Sequence, residues 1–145
     1  MREFFEILAV NASALAAQRW RLNVISSNLA NAETTRTPQG GPYRRKDVIF
    51  VPTRAVFEQM VGGLSAGVPL GVKVGGIVED PRPPRAVYNP GHPDADESGY
   101  LLLPNVNPLE EMVNMIAAAR SYEANLEVFN ATKAMLLKAL EIGRI

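Results

Sequence analysis

Residues 27–38 read Ser27-Asn28-Leu29-Ala30-Asn31-Ala32-Glu33-Thr34-Thr35-Arg36-Thr37-Pro38. An apolar repeat ends within this stretch, and a region of different composition begins. On its N-terminal side leucines recur every seven residues, at Leu8, Leu15, Leu22 and Leu29. Phe5, Ala12 and Ile25 widen the stripe, while Asn11, Gln18, Arg19, Arg21 and Asn23 supply a polar side. Such spacing predicts one helix from about Arg2 to Asn31. The run of β-branched residues and Pro38 then disfavour its continuation.

Beyond Pro38 the chain changes character. All 11 prolines lie between Pro38 and Pro108, and all but one of the 11 glycines lie between Gly40 and Gly99. Proline costs a helix interior about 3 kcal/mol and glycine about 1 kcal/mol. Residues 1–37 and 109–145 contain no proline and only Gly143, so both ends read as helices around a turn-rich insert. The expected organisation is α+β, with paired terminal helices from 1–37 and 109–145 and a β-rich middle segment, 38–108.

The second helix has signals at both ends. Asn107-Pro108-Leu109-Glu110 places an N-cap asparagine before proline at the first helical position. Gly143 stands where a helix-ending glycine belongs. One apolar seam runs Met112, Met115, Ala119, Tyr122, Leu126, Phe129, Lys133, Leu136, Leu140. Alternating steps of three and four residues mark a coiled coil. Val113, Ile116 and Leu137 add a second apolar edge.

The insert contains short strand-like runs at Val48–Val51, Val72–Val74, Ile77–Val78, Ala86–Tyr88 and Tyr100–Leu103. Gly40-Gly41-Pro42, Gly75-Gly76, Asp80-Pro81 and Asn89-Pro90-Gly91 read as turns between them. Thr53–Val61 reads as a short helix and Gly62–Val72 as a loop tip.

Composition narrows the chemistry. The 145 residues carry 15 basic and 15 acidic side chains, so the net charge is zero and whole-surface capture of nucleic acid is disfavoured. With no cysteine and one histidine, thiolate sites and multi-histidine metal sites cannot form within one chain. No uncharged run approaches the ~20 residues of a membrane-spanning helix. Glu3 and Glu6 sit where a leader peptide needs positive charge. His92, Asp94 and Asp96 are the residues on which a metal-dependent hydrolase could be built, although Gly91 and Pro93 place them in a polar turn. Tyr43, Arg44, Arg45 and Lys46 form a basic patch and are candidate partner contacts. No cofactor is expected. An amphipathic helix lying on a membrane is a further alternative, against which the balanced charges of the first helix (Arg19 and Arg21 against Glu3 and Glu6) argue.

Two long apolar seams are more than two helices need to bury each other, so partner subunits are expected to cover the remainder. Asparagines such as Asn28, Asn31, Asn114 and Asn125 suit the setting of helix register. The candidate interface residues are Leu8, Leu15, Leu22, Asn28, Leu29, Asn31, Met112, Met115, Ala119, Tyr122, Asn125, Leu126, Phe129, Leu136 and Leu140. Residues 1–31 and part of 109–145 are expected to be mobile in the free chain and to order on assembly, because helical stability comes mainly from packing.

Ser27-Asn28-Leu29-Ala30-Asn31-Ala32-Glu33-Thr34-Thr35 resembles the Asn-Leu-Ala-Asn signature of the bacterial flagellar axial proteins, the rod, hook and hook-associated subunits. Glu111–Ile116 and Arg120–Asn125 resemble their C-terminal motif. Thr37–Lys46 and Gly91–Asp96, running into Gly99-Tyr100 and Pro104–Pro108, are similar to proximal-rod members of that family. The resemblance implies export without a cleaved signal through the flagellar type III apparatus. It implies helical assembly with other rod proteins and copies of the same chain. The terminal helices would form the inner layer of a tube enclosing the export channel, in a basal-body rod that crosses the periplasm and transmits torque.

Overall fold

The computed structural model describes residues 2–54 and 69–142. Two long helices, α1 (Arg2–Ala30) and α2 (Pro108–Ile142), flank four strands: β1 (Lys46–Arg54), β2 (Pro69–Glu79), β3 (Arg85–Tyr88) and β4 (Tyr100–Leu103). The strands form two separate antiparallel hairpins, β1–β2 and β3–β4. This is the α+β arrangement expected from the positions of proline and glycine.

The cap of α2 forms as its sequence dictates. Asn107 Oδ1 accepts the Leu109 amide at 3.1 Å, and Pro108 occupies a position whose missing N–H costs nothing. At the other junction Asn31 closes α1. Its amide donates to Ser27 O at 3.1 Å, its side chain donates to the same carbonyl at 2.9 Å, and its Oδ1 accepts Thr34 Oγ1 at 3.1 Å. Gly143 lies outside the described residues.

Helix α1 is the centre of the molecule, with α2 against one face and the β1–β2 hairpin against another. Asn28 near the end of α1 bonds Glu111 near the start of α2, and burial persists along α2 to Thr132. The two helices can share that length only by running antiparallel. On α2, Asn114 and Ala119 are half-buried at the edge of the inner stripe, and the stripe itself is Glu111, Met115, Ala118, Tyr122, Asn125, Phe129, Thr132 and Leu136. They repeat in steps of four and three, a coiled-coil spacing. This corrects the phase of the expected seam. Met115, Tyr122, Phe129 and Leu136 do lie on it, but Met112, Leu126, Lys133 and Leu140 are exposed beside it. The alternate inner positions are small or polar, Ala118 and Thr132 among them, which lets the helix backbones approach. Thr132 satisfies its own hydroxyl by donating to Val128 O at 2.8 Å. On α1, Ile25 is buried, whereas Phe5 and Ala12 are exposed rather than part of the inner stripe.

The insert differs from expectation at one glycine pair. Gly75-Gly76 is not a turn: β2 runs through it, pairing Ile49 with Gly76 and Phe50 with Val74. Gly75 is the extra residue of a β-bulge. Its neighbour explains the choice of glycine, because a Cβ at Gly75 would stand 2.9 Å from Val51 Cγ1. Thr53 and Arg54 belong to β1 rather than to a short helix, and Pro69–Val72 belong to β2 rather than to a loop tip. The rest of both expected elements lies outside the described residues. Where β2 crosses α1, Ser13 Oγ accepts the Val72 amide at 3.1 Å and donates to Val10 O at 2.7 Å. Gly71 has φ +123°, and a Cβ there would meet Ser13 Oγ at 2.7 Å.

Among the described residues the buried apolar core is small: Ala17, Val24, Ile25, Tyr43, Leu101, Val106 and Ala118. A compact monomer of 15.8 kDa has roughly 7,300 Å² of accessible surface. This chain has 10581 Å². Large apolar side chains left open on both helices contribute to that area.

Candidate functional site

The polar centre of the molecule lies where α1, β1 and α2 meet. Asn28 is 0% exposed and uses its whole amide. Its Nδ2 donates to Lys46 O at 2.8 Å and to Glu111 Oε2 at 2.9 Å. Its Oδ1 accepts the Tyr43 hydroxyl at 3.0 Å and the Lys46 amide at 2.9 Å. Glu111, 1% exposed, takes Arg45 Nε on its other oxygen at 2.7 Å. A buried carboxylate is tolerated only when paired and hydrogen-bonded, and both oxygens of Glu111 meet that condition.

Arg45 carries the network outward. Its guanidinium also lies 3.2 Å from Asp47 and 3.8 Å from Asp80. Burial lowers its pKa, but the hydrogen bond and charge of Glu111, with those of Asp47, outweigh that and leave it raised. Its backbone amide donates to Asn105 Oδ1 at 2.8 Å, and Asn105 Nδ2 donates to Arg82 O at 3.1 Å. Asp80 accepts the Arg82 guanidinium at 2.6 and 2.9 Å, and this bonding with the Arg82 amide holds its carboxyl well down, to about 2. One continuous polar network thus fixes both hairpin entrances against both helices.

The expected basic patch is therefore divided. Tyr43 is buried, and Arg45 is engaged within the chain. Arg44 is exposed. Lys46 holds its ammonium 5.6 Å from the centre of the Tyr43 ring, a cation–π contact.

The turn at 91–96 is a brace. Asp94 accepts Thr35 Oγ1 at 2.8 Å and stands 3.9 Å from Arg36, which ties the turn to the exit of α1. Asp96 Oδ1 accepts the Ser98 and Tyr100 amides at 2.9 and 2.8 Å, and His92 Nδ1 accepts the Asp94 amide at 3.1 Å. His92, Asp94 and Asp96 are thus spent on holding the loop. Among the described residues no group of three His, Cys, Asp or Glu side chains could hold a metal ion.

Sequence reasoning missed Glu111, Ala118, Thr132 and Asn105. For Glu111 no local signal existed: the expected seam starts one residue later at Met112, and its partner Arg45 lies 66 residues away in the chain.

The outer faces complete the picture. Helix α2 exposes Leu109, Met112, Val113, Ile116, Leu126, Val128, Met135, Leu137, Leu140 and Ile142. Helix α1 exposes Phe5, Ile7 and Trp20. A rigid junction carrying long, apolar, uncovered helices defines a structural subunit of a larger assembly. The sequence matches two family descriptions: "Flagella basal body rod protein" over residues 8–36 and "Flagellar basal body rod FlgEFG protein C-terminal" over residues 97–142. It is 50% identical to the flagellar basal-body rod protein FlgC of Bacillus subtilis, over 97% of this chain and 98% of that protein. It is 47% identical to FlgC of Salmonella typhimurium and 46% identical to FlgC of Borreliella burgdorferi, in each case over 95% of this chain and 96% of the relative. The chain belongs to the flagellar basal-body rod protein family, and it is a structural subunit of the rod.

Proposed function

We propose that this subunit builds the proximal part of the rod, assembling helically with other rod proteins and with copies of itself into a drive shaft around an export channel. In this reading residues 1–37 and 109–145 form the inner layer, and residues 38–108 lie further out against neighbours. The observation that carries the reading is the combination of a fully bonded junction with uncovered apolar helix faces. The junction makes the insert and the helix pair move as one body, as torque transmission requires. The faces supply adhesion, at roughly 25 cal/mol for each Å² of apolar surface buried.

Subunit contacts are proposed at Met112, Leu126 and Leu140, which the helix pair leaves open. Leu8, Leu15, Leu22, Leu29 and Ala119 would contribute from half-buried positions, and Met115, Tyr122, Asn125, Phe129 and Leu136, which lie on the inner stripe, through the part of each side chain that α1 leaves open. Asn28 and Asn31 act indirectly by fixing the exit of α1, and Arg44 and Lys46 remain the candidate partner contacts of the basic patch. The chain would reach the rod through the flagellar type III apparatus without a cleaved leader. It has no catalytic role in this reading. Deletion of residues 115–145 tests it: cells should lose rod assembly and motility together. Intact rods and normal swimming with the truncated chain would overturn it.

A further inference from the structure

The junction of α1, β1 and α2 leaves a few polar groups unspent, and they share one place. A crevice of about 90 Å³ opens there, lined by Arg21, Val24 and Ile25 of α1, by residues 45–48 at the entrance of β1, and by Asn114 of α2. Arg21 is half-buried, yet among the described residues it makes no ion pair and no hydrogen bond. Asn114, also half-buried, leaves its side-chain amide unbonded among the described residues. Arg45 gives Nε to Glu111 and Nη1 to Asp47, and its Nη2 has no hydrogen-bond partner among the described residues. The neighbouring Asn28, Glu111 and Asn105 are all bonded, so the open donors stand out against a saturated surround.

The lining decides what can enter. Donors withdrawn from water gain most from an acceptor that reaches them, and a guanidinium without a counter-charge favours an anion. Asp47, at the rim, does not fill that role. Its Oδ1 accepts the Val48 amide at 2.8 Å and its Oδ2 faces Arg45 at 3.2 Å. Lys46 turns its ammonium to the Tyr43 ring. The volume equals that of about three waters. A planar group with two oxygens fits that space and matches the fork of an arginine. The negative charge of Asp47 penalises a dianion more than a monoanion, which disfavours phosphate and sulfate.

We propose that this crevice is a binding site for one carboxylate group, held by Arg21 with Asn114 and Arg45 Nη2 as further donors. The bound group would bridge α1, α2 and the entrance of β1, and so reinforce the junction. A small free acid and an acidic side chain of another protein chain both offer this group. The inference does not rest on the rod-subunit reading.

The test uses the full-length chain and follows the Arg21 guanidinium Nε–H by heteronuclear NMR, its signal being assigned by its loss in Arg21→Gln. Sodium acetate replaces sodium chloride at constant ionic strength. The Arg21 signal should move along a saturating curve, and the Asn114 side-chain amide should move in step with it. Asn114→Ala should weaken the apparent affinity by about tenfold or more, the effect of losing one hydrogen bond to a charged group. A linear drift of the Arg21 signal, or no movement, would overturn the proposal. Sulfate or phosphate acting at equal or lower concentration would also overturn it, because the crevice would then take anions in general. Association of the chain with copies of itself or with other rod proteins separates the two sources. With a protein side chain as occupant, acetate should weaken that association severalfold in the parent and leave it unchanged in Arg21→Gln. With a free acid as occupant, acetate should leave association unchanged in both while the Arg21 signal still saturates. Absence of any association in chloride would count against the rod-subunit reading alone, and the acetate titration would still decide the proposal.

Discussion

Asn28 donates to Glu111 Oε2 at 2.9 Å across 83 residues of sequence, joining the end of the first helix to the start of the last. The same carboxylate takes Arg45 from the insert at 2.7 Å, so three segments converge on one buried side chain. Breaking a buried pair by removing one partner costs about 3–5 kcal/mol, because the other charge stays behind uncompensated. Glu111→Ala should therefore lower unfolding stability by about 3 kcal/mol or more. Glu111→Gln, which keeps an acceptor for Arg45, should cost less. Arg45→Ala combined with Glu111→Ala should cost clearly less than the sum of the single changes. Urea unfolding midpoints of the four variants, Arg45→Ala alone included, check this, and strict additivity would show that the pair is not coupled.

The bulge in β2 gives a paired comparison of two adjacent glycines. A Cβ at Gly75 would stand 2.9 Å from Val51 Cγ1, whereas one at Gly76 meets nothing within 4 Å. Gly75→Ala should destabilise by about 1–3 kcal/mol through forced repacking. Gly76→Ala should stay within about 0.5 kcal/mol of the parent. Thermal melts of the two variants distinguish them, and equal melting temperatures would remove the close approach as the reason for glycine.

How far these features could be read from sequence depends on how local they are. The helices were legible because proline and glycine exclude themselves from residues 1–37 and 109–142, a signal carried by each position independently. The pairing face of α2 was only half legible. Met112 and Leu126 are as apolar as Met115 and Phe129, and hydropathy does not tell a face covered by α1 from a face left for another molecule. The true inner positions include Ala118 and Thr132, chosen for size and for a self-satisfied hydroxyl rather than for hydrophobicity. Gly75-Gly76 read as a turn because a bulge and a turn ask for the same residue; only the partner strand distinguishes them. The Asn28–Glu111–Arg45 junction is non-local, and no spacing rule connects positions so far apart.

Acid should expose the Asp80 anchor. Its carboxyl is held to about 2 by the hydrogen bonds of Arg82, against 3.8 in the unfolded chain. A folded-state value below the unfolded one stabilises the fold above the unfolded value, and that contribution is lost as pH falls through the folded value. Asp80→Asn should therefore melt below the parent by a constant margin above pH about 4. The margin should shrink as pH drops from about 4 to about 2 and vanish below that. Melting temperatures of parent and variant across this range check the sign. A margin that grew on acidification would mean that Asp80 does not hold Arg82 as its ionised form.

The uncovered faces predict a change in order on assembly. Helix α2 is 35 residues, about 52 Å at 1.5 Å per residue, yet among the described residues its packing along that length is against α1, with Arg45 added at its first turn. Isolated helices draw most of their stability from packing of an apolar face. The ends of α1 and α2 remote from the Asn28–Glu111 junction, residues 5–10 and 137–142, are where that packing is thinnest. In the free chain their amide protons should exchange with solvent within the earliest time points, and those around Asn28 and Glu111 should be protected far longer. In the assembled state both ends should gain protection, and far-UV circular dichroism should report more helix than in the free chain. Equal helix content in the two states, with uniform protection along α2, would mean that the helix pair is already self-sufficient and that assembly adds contacts without adding order.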